Sequence, residues 1–222
     1  MRIRRSIISV CWEFAAICAP TSKRFYPNGS FTEDRAYADY IYLRSDLATL
    51  KGKKFQAKRN HINRFRNTYP DYEYTPITPD RIQECLDLEA EWCKVNNCDQ
   101  QEGTGNERRA LIYALHNFEA LGLTGGILHV NGKIVAFTFG MPINHETFGV
   151  HVEKADTSID GAYAMINYEF ANRIPEQYIY INREEDLGIE GLRKAKLSYQ
   201  PVTILEKYMA CLKDHPMDMV RW

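Results

Sequence analysis

The sequence lacks a run long enough to cross a bilayer. No stretch reaches the roughly 18 consecutive apolar residues that a membrane span needs, so no transmembrane helix is expected. It also lacks an excess of charge of one sign. Its 28 Lys and Arg against 29 Asp and Glu leave a net charge of -1. A chain that is basic throughout, as a general nucleic-acid binder is, is therefore not indicated, and DNA is not an expected partner. Cysteine is scarce: Cys11, Cys18, Cys85, Cys93, Cys98 and Cys211 are the only six in 222 residues. That is too few for a disulfide scaffold. None forms a CxxC pair and no His stands at zinc-finger spacing from them, so they read as buried or free thiols suited to a reducing cytoplasm. No His, Asp and Glu cluster has ligand spacing, and no metal is expected. Repeats and low-complexity tracts are missing as well. With 45% hydrophobic and 26% charged residues, the chain is neither disordered nor collagen-like.

What is present begins with a signal-like start. Arg2, Arg4 and Arg5 precede a partly apolar run from Ser6 to Ala19, but Glu13 interrupts it, which argues against secretion. Residues 22–35, rich in Pro, Gly, Asn, Ser and charge, read as a linker. Tyr40 to Leu43 is a short strand and Leu47 to Leu50 a helical turn. Lys51 to Arg66 carries seven basic residues and no acidic one, with Phe55, Ile62 and Phe65 on one helix face. Tyr72 to Thr75 alternates as a strand. Thr78 and Pro79 open a helix that runs to about Asn96. After a polar loop, Asn106 caps a helix with apolar positions through Leu121.

Gly126 to Val130 and Lys133 to Met141, joined by Asn131-Gly132, form a hairpin with a type I′ turn. A further turn at Asn144-His145 leads to a third strand, Thr147 to Glu153. Gly161 to Arg173 is a helix stopped by Pro175. Tyr178 to Ile181 is a strand, Asn182 to Gly188 a charged loop, Ile189 to Lys196 a helix and Pro201 to Leu205 a strand. Helices between strands in the second half imply parallel pairing there. The fold class is α/β (α+β): a mixed sheet with an antiparallel front half, a parallel back half and flanking helices. This succession resembles the GNAT acyltransferase fold. That resemblance implies splayed central strands, here Thr147 to Glu153 and Tyr178 to Ile181, with an acyl donor lying in the gap.

Functional residues are then sought where those strands end. The turn Asp160-Gly161-Ala162 opens a helix, whose free N–H groups and dipole suit an anion. Ser158 stands where the coenzyme A loop of GNAT enzymes has Arg or Gln, and Asp160 puts a negative charge beside any pyrophosphate. An ordinary Asp-Gly helix cap explains the same residues. The second cluster is Asn182-Arg183-Glu184-Glu185-Asp186-Leu187-Gly188, running into Gly191-Leu192-Arg193, Lys196, Tyr199 and Pro201. A solvated loop with internal ion pairs accounts for its charges. It accounts less readily for Gly188 and Gly191 framing a helix start, where backbone must approach something closely. Arg193 and Lys196 lie three apart, on one helix face.

The string from Asn182 to Pro201 resembles the closing signature of a bacterial family that shares the C-terminal domain of phosphatidylglycerol lysyltransferases. That family is more distantly similar to the peptidoglycan-bridge aminoacyltransferases. Two further stretches agree. One is Lys51-Gly52-Lys53-Lys54-Phe55 continuing to Lys58-Arg59-Asn60-His61-Ile62-Asn63-Arg64-Phe65. The other is His151-Val152-Glu153-Lys154-Ala155 with Asp160-Gly161-Ala162-Tyr163. The resemblance covers roughly Asp39 to Cys211. It implies two tandem GNAT-like halves in typical members, so residues 1–38 read as an extension or the remnant of a missing first half. Residues 39–222 read as the GNAT-like domain.

The resemblance implies an acyl- or aminoacyltransferase with no permanently bound cofactor. The donor would be acyl-coenzyme A or an aminoacyl-transfer RNA. The acceptor would carry an amine or hydroxyl, with a lipid or cell-wall precursor among the candidates, reached by peripheral membrane contact. The expected catalytic residues are Glu153 as general base, Asp186 as its rival, Lys196 for the oxyanion, and Tyr199 as proton donor to the leaving group. Substrate contacts fall to Arg59, Asn60, His61, Asn182, Arg183, Glu184 and Arg193. Donor-binding contacts fall to Asp160, Gly161, Ala162 and Gly188. A solvated helix face competes with phosphate binding for the basic run. The rival reading is a noncatalytic GNAT-fold module that retains a ligand cleft without turnover.

Overall fold

The computed structural model describes residues 29–96 and 104–212. The signal-like start, Cys11, Cys18, Cys98 and the first part of the linker lie outside the described residues. In chain order the elements are β1 (Gly29–Glu33), β2 (Asp39–Leu43), α1 (Arg44–Thr49), α2 (Gln56–Thr68), β3 (Glu73–Pro76), α3 (Ile82–Val95), α4 (Thr104–His116), β4 (Thr124–Val130), β5 (Lys133–Pro142), β6 (Thr147–Ala155), α5 (Ala162–Arg173), β7 (Tyr180–Asn182), α6 (Glu190–Leu197), β8 (Thr203–Leu205) and β9 (Tyr208–Leu212). Contacts divide the described chain into two compact units, residues 42–182 and residues 29–41 with 183–212.

The larger unit is built on the expected meander. Asn131 and Gly132 have φ of 52° and 73°, the left-handed pair that a type I′ turn requires. They pair β4 with β5, and β5 pairs antiparallel with β6. β3 adds antiparallel to β4, with Tyr74 opposite Leu128. A parallel partner for β6 requires a crossover, and α5 supplies it: β7 pairs parallel to β6, Thr147 opposite Tyr180 through Gly149 opposite Asn182. From Val150 to its end, β6 has no β7 partner. The result is a mixed sheet with flanking helices, antiparallel from β3 to β6 and parallel between β6 and β7.

Alternation along the strands puts Ile127, Phe137 and Phe139 on one face. They pack there with Ile77, Cys85, Leu88, Leu111, Leu115 and Phe118 from the segments leading into and forming α3 and α4. Phe118 meets Phe139 edge-on, with ring centroids 5.9 Å apart. Cys85 is a free buried thiol in this core, and burial pushes its pKa up to about 12, so it acts as a small hydrophobe. Cys93 is disulfide-bonded, which corrects the expectation of unpaired thiols. Its partner lies outside the described side chains.

In the smaller unit, β2 pairs antiparallel with β8, Asp39 opposite Leu205 and Ile41 opposite Thr203. This corrects the expectation of parallel pairing throughout the back half, because β8 takes as its partner β2, a strand from the beginning of the described chain that it meets head to tail. β1 pairs antiparallel with β9, from Gly29 opposite Leu212 to Glu33 opposite Tyr208. Part of the segment read as a linker is therefore strand. A five-residue strand with Gly, Ser and Glu in it gives no alternation, and its partner is far away in sequence. β7 is also displaced from its expected span, beginning at Tyr180. α4 begins at Thr104 and ends at His116, where apolar spacing had extended it to Leu121. Leu121 is instead exposed in a turn.

Two glycines separate close approach from mere helix placement. A Cβ on Gly140 would lie 1.8 Å from the Gly149 carbonyl oxygen, a backbone atom of the neighbouring strand that cannot swing aside. The β5–β6 register shifts at that point. Around Gly191 nothing lies within 4 Å of a Cβ. Gly140→Ala is expected to cost about 3 kcal/mol through overpacking and to lower the melting temperature by several degrees. Gly191→Ala, within α6, is expected to hold or raise it, since Ala is the better helix former. Thermal melts of the two variants check this, and equal effects would contradict it.

Candidate functional site

The loop from Arg183 to Gly188 is fixed by a buried carboxylate. Glu184, Leu187 and Gly188 have φ of 56°, 52° and 75°, so the backbone folds back twice within five residues. β2 and its lead-in hold it: Arg183 N–H donates to the Tyr40 carbonyl at 3.0 Å, Tyr40 N–H to Glu184 at 3.1 Å and Leu187 N–H to Ala36 at 2.9 Å. Inside the fold sits the Asp186 side chain, with no solvent exposure. Its Oδ1 accepts from Arg193 Nη2 and the Gly188 N–H, both at 2.8 Å. Its Oδ2 accepts from the Tyr40 hydroxyl at 2.5 Å, Arg193 Nε at 2.8 Å and Arg35 Nη1 at 3.3 Å. Arg193 approaches as a two-pronged fork, the strong geometry for a carboxylate. That fork holds the Asp186 carboxyl well below the usual carboxylate range, against the opposing effect of burial, with Tyr40 and Gly188 adding to it. The Tyr40 phenol is pushed up, by burial first and then by Asp186.

A second set of cations locks the same loop. Lys196 is the only buried residue of α6. Its ammonium donates to the Arg183 carbonyl and to the Glu185 carbonyl, the latter at 2.6 Å. Lys207 bridges Asp39 at 2.7 Å and Glu185 at 2.8 Å. Burial would lower the Lys207 pKa, but these two carboxylates outweigh it and raise it. Burial would raise that of Glu185, and Lys207 outweighs it in the other direction. The Arg183 guanidinium lies 4.8 Å from the centre of the Tyr199 ring, a cation–π distance. Asp186, Arg193, Lys196, Arg183, Glu184, Gly188 and Tyr199 are thus assembled around one loop.

In the larger unit, Glu153 stands on β6 opposite Thr138 and accepts from Asn167 Nδ2 of α5 at 3.2 Å. The next residue, Lys154, is buried. It pairs with Glu107 at 3.0 Å and lies 4.0 Å from buried Glu89. Its ammonium is 3.6 Å from the centre of the Trp92 ring, whose indole N–H donates to the Tyr163 hydroxyl at 3.0 Å. Burial raises the Glu89 pKa, and Lys154 works against that shift. Asn182 ends β7, fully buried opposite Gly149.

The start of α5 is backed by the basic helix. Gly161 has φ of +85°, and a Cβ there would meet the His61 carbonyl oxygen at 3.1 Å and Phe65 Cβ at 3.3 Å. Asp160 is paired with Arg64 at 2.7 Å, and His61 stands 3.9 Å away. Its charge is therefore met by α2. Ala162 is buried in the first turn of α5. Arg59 is engaged locally: it donates to the Leu50 carbonyl, to the Gly52 carbonyl at 2.7 Å and to the side-chain Oε1 of Gln56 at 2.6 Å. Exposed Asn60 accepts from Gln56 at 3.0 Å.

Several members of these clusters were not singled out from sequence. Arg35, Asp39, Tyr40 and Lys207 join the Asp186 loop, while Glu89 and Trp92 stand beside Lys154. Arg35 and Tyr40 precede Asp186 by 151 and 146 residues, so no local spacing could associate them. Lys154, between two motif residues, carried the one available signal. Among the described residues no group of three or more His, Cys, Asp or Glu side chains could hold a metal ion. No helix among them is long and apolar enough to cross a membrane.

Comparison with known proteins gives the family of the chain. A family model described as phosphatidylglycerol lysyltransferase, C-terminal, matches residues 10–211, starting ahead of the Asp39 at which the motif resemblance begins. The chain is 92% identical to a conserved Bacteroides thetaiotaomicron protein of unknown function, over 89% of this chain and 68% of that one, with a TM-score of 0.86. It shares the fold of the C-terminal domain of an Agrobacterium fabrum protein described as a lysylphosphatidylglycerol synthetase. There the TM-score is 0.61 at 15% identity, over 82% of this chain and 61% of that one. An uncharacterized protein of Mycoplasmoides gallisepticum is 25% identical over 177 residues, 77% of this chain and 55% of its own. The chain thus spans about half the length of that curated relative.

Removing the Asp186 charge tests the anchorage. Asp186→Asn leaves two guanidinium groups facing a neutral amide and is expected to cost about 3 kcal/mol at neutral pH. Because the folded carboxyl titrates below its unfolded value, its stabilisation is complete above the ordinary carboxylate range. It is lost as pH falls below about 4 and through the folded value. The melting temperatures of wild type and variant should therefore converge on acidification. Parallel curves from pH 7 to acid would refute the assignment.

Proposed function

The chain belongs to the phosphatidylglycerol lysyltransferase C-terminal family, and from that membership we propose that it is an acyl- or aminoacyltransferase. Its donor is an aminoacyl-transfer RNA or an acyl-coenzyme A, and its acceptor a lipid-borne hydroxyl or amine. Within the fold, the observation that carries this reading is the Arg193–Asp186 pair. A half-exposed guanidinium is held on its Asp186 side by two bonds of 2.8 Å, and so is oriented before any ligand arrives. Acyl transfer needs such a fixed cation, either on a donor phosphate or on the oxygen that gains charge when the carbonyl is attacked.

The reaction is a displacement at the acyl carbon. The acceptor oxygen or nitrogen attacks, the carbonyl electrons move to oxygen, and their return breaks the bond to the ribose oxygen or thiolate. The acceptor's proton must go to a base, and the leaving atom must gain one. In the smaller unit we assign the second task to Tyr199, beside Arg183; in the larger unit Glu153, which Asn167 orients, is the carboxylate suited to the first. Asp186, held ionised by Arg193, positions that guanidinium. Lys196 positions the loop through the carbonyls of Arg183 and Glu185.

The test supplies lysyl-transfer RNA with labelled lysine, or labelled acetyl-coenzyme A, together with vesicles containing phosphatidylglycerol or an amine-bearing lipid. Label is expected to enter the lipid fraction from one donor. Arg193→Lys keeps the charge but loses the fork, and should slow transfer about a hundredfold. Binding of donor or vesicles without transfer from either donor would overturn the proposal in favour of a noncatalytic module.

A further inference from the structure

The larger unit contains a cleft that the transferase reading does not use. It has a volume of about 440 Å³ and is lined by Tyr74, Phe148, Phe170, Arg173, Ile174 and Tyr178, among others. That volume suits a small ligand. Phe148 and Glu153 are five residues apart on β6, which separates the cleft from Glu153 by roughly 16 Å at strand rise. Its walls are tightly built: Phe148 meets Phe170 and Tyr178 with ring centroids 5.8 Å and 5.5 Å apart, both near edge-on.

Thr124, Tyr178, Tyr74 and Arg173 bring polar atoms to this mostly apolar lining, and the last two stand together. The first of that pair is the Tyr74 hydroxyl. A Cβ on Gly126 would lie 1.8 Å from it, so glycine at 126 leaves the space this oxygen occupies. Burial raises the phenol's pKa, keeping it a proton donor, and no described residue hydrogen-bonds it. Tyr74 is half-buried, so its hydroxyl stands at the cleft as a donor that a ligand can meet. The second is Arg173, whose guanidinium lies 3.8 Å from the centre of the Tyr74 ring. Its Nη1 donates to the Glu169 carbonyl at 2.8 Å and to the Glu169 carboxylate, which is ordinary for a cation at the end of a helix. Nε and Nη2 have no partner among the described residues. Glu169 does not cancel the charge alone, because Arg66 stands 3.7 Å from it and the Tyr72 hydroxyl donates to it at 2.7 Å. The group of Arg66, Arg173 and Glu169 keeps one net positive charge.

We propose that this cleft binds a small carboxylate with an apolar tail. The carboxylate meets the free edge of Arg173 and the Tyr74 hydroxyl, while the tail lies against Phe148, Phe170, Ile174 and Tyr178. An apolar molecule alone would leave the remaining edge of the Arg173 guanidinium unmet, and a small anion alone would leave the apolar walls uncovered.

Calorimetric titration of the full chain with octanoate, 1-octanol and acetate tests this. Octanoate is expected to bind saturably, and 1-octanol and acetate at least about tenfold more weakly, as loss of a charge-assisted bond or of the tail requires. Arg173→Gln and Tyr74→Phe, each confirmed as folded by its melting curve, should weaken octanoate by about tenfold and threefold respectively. If Arg173→Gln does not fold, Tyr74→Phe carries the test. No saturable octanoate binding, equal binding of 1-octanol, or octanoate affinity unchanged in the folded variants would each overturn the proposal.

Discussion

One buried carboxylate organises the smaller unit. Asp186 is fully enclosed, and an ion in that position is tolerated only when its lone pairs are met. Five hydrogen bonds meet them, and the donors come from before β2, from β2 itself, from the turn at Gly188 and from α6. Each segment is therefore located by the same two oxygen atoms. The left-handed residues at 184, 187 and 188 follow from that demand, because the loop must curl to bring its own N–H group onto the side chain two residues back. Lys196 and Lys207 complete the arrangement by taking up the carbonyls and carboxylates that the curl turns inward.

Much of the larger unit was legible in the sequence because its signals are local. Asn131-Gly132 specifies its turn, alternation around it specifies the strands, and Pro175 marks the end of α5. The string from Asn182 onward stood out as a candidate loop because charge is dense there and the glycines frame a helix. The identity of its anchors was not legible. Tyr40 reads as a strand aromatic, Arg35 as a linker charge and Lys207 as a surface lysine. Each gains its meaning only from tertiary neighbours well over a hundred residues away, or from the strand pairing of β2 with β8. The β1–β9 pair escaped notice for a related reason, since neither strand has a pattern of its own.

The basic run shows how one compositional feature divides into several physical ones. Arg59 serves the backbone of the preceding turn, Arg64 neutralises Asp160, and Arg66 pairs with Glu169 while its guanidinium lies over the Tyr168 ring. Lys54 pairs with Asp46. A stretch with no acidic residue of its own is thus met in part by acids from other elements. The opposite holds at Lys154, a lone lysine in a strand, which turns out to be enclosed by two glutamates and an indole. Charge counted along a sequence says little about charge felt in the fold.

The attachment of α6 has a thermal consequence. This helix buries only Lys196 and is fastened through ammonium and guanidinium contacts, with little apolar surface withdrawn from water. Heat-capacity change on opening scales with apolar area exposed, and polar area contributes with the opposite sign. Detaching α6 should therefore carry a small heat-capacity increment, while opening the aromatic core between β5 and α4 carries a large one. The two regions respond differently to cold: hydrophobic packing weakens on cooling, but the ionic clasp on this helix does not share that loss.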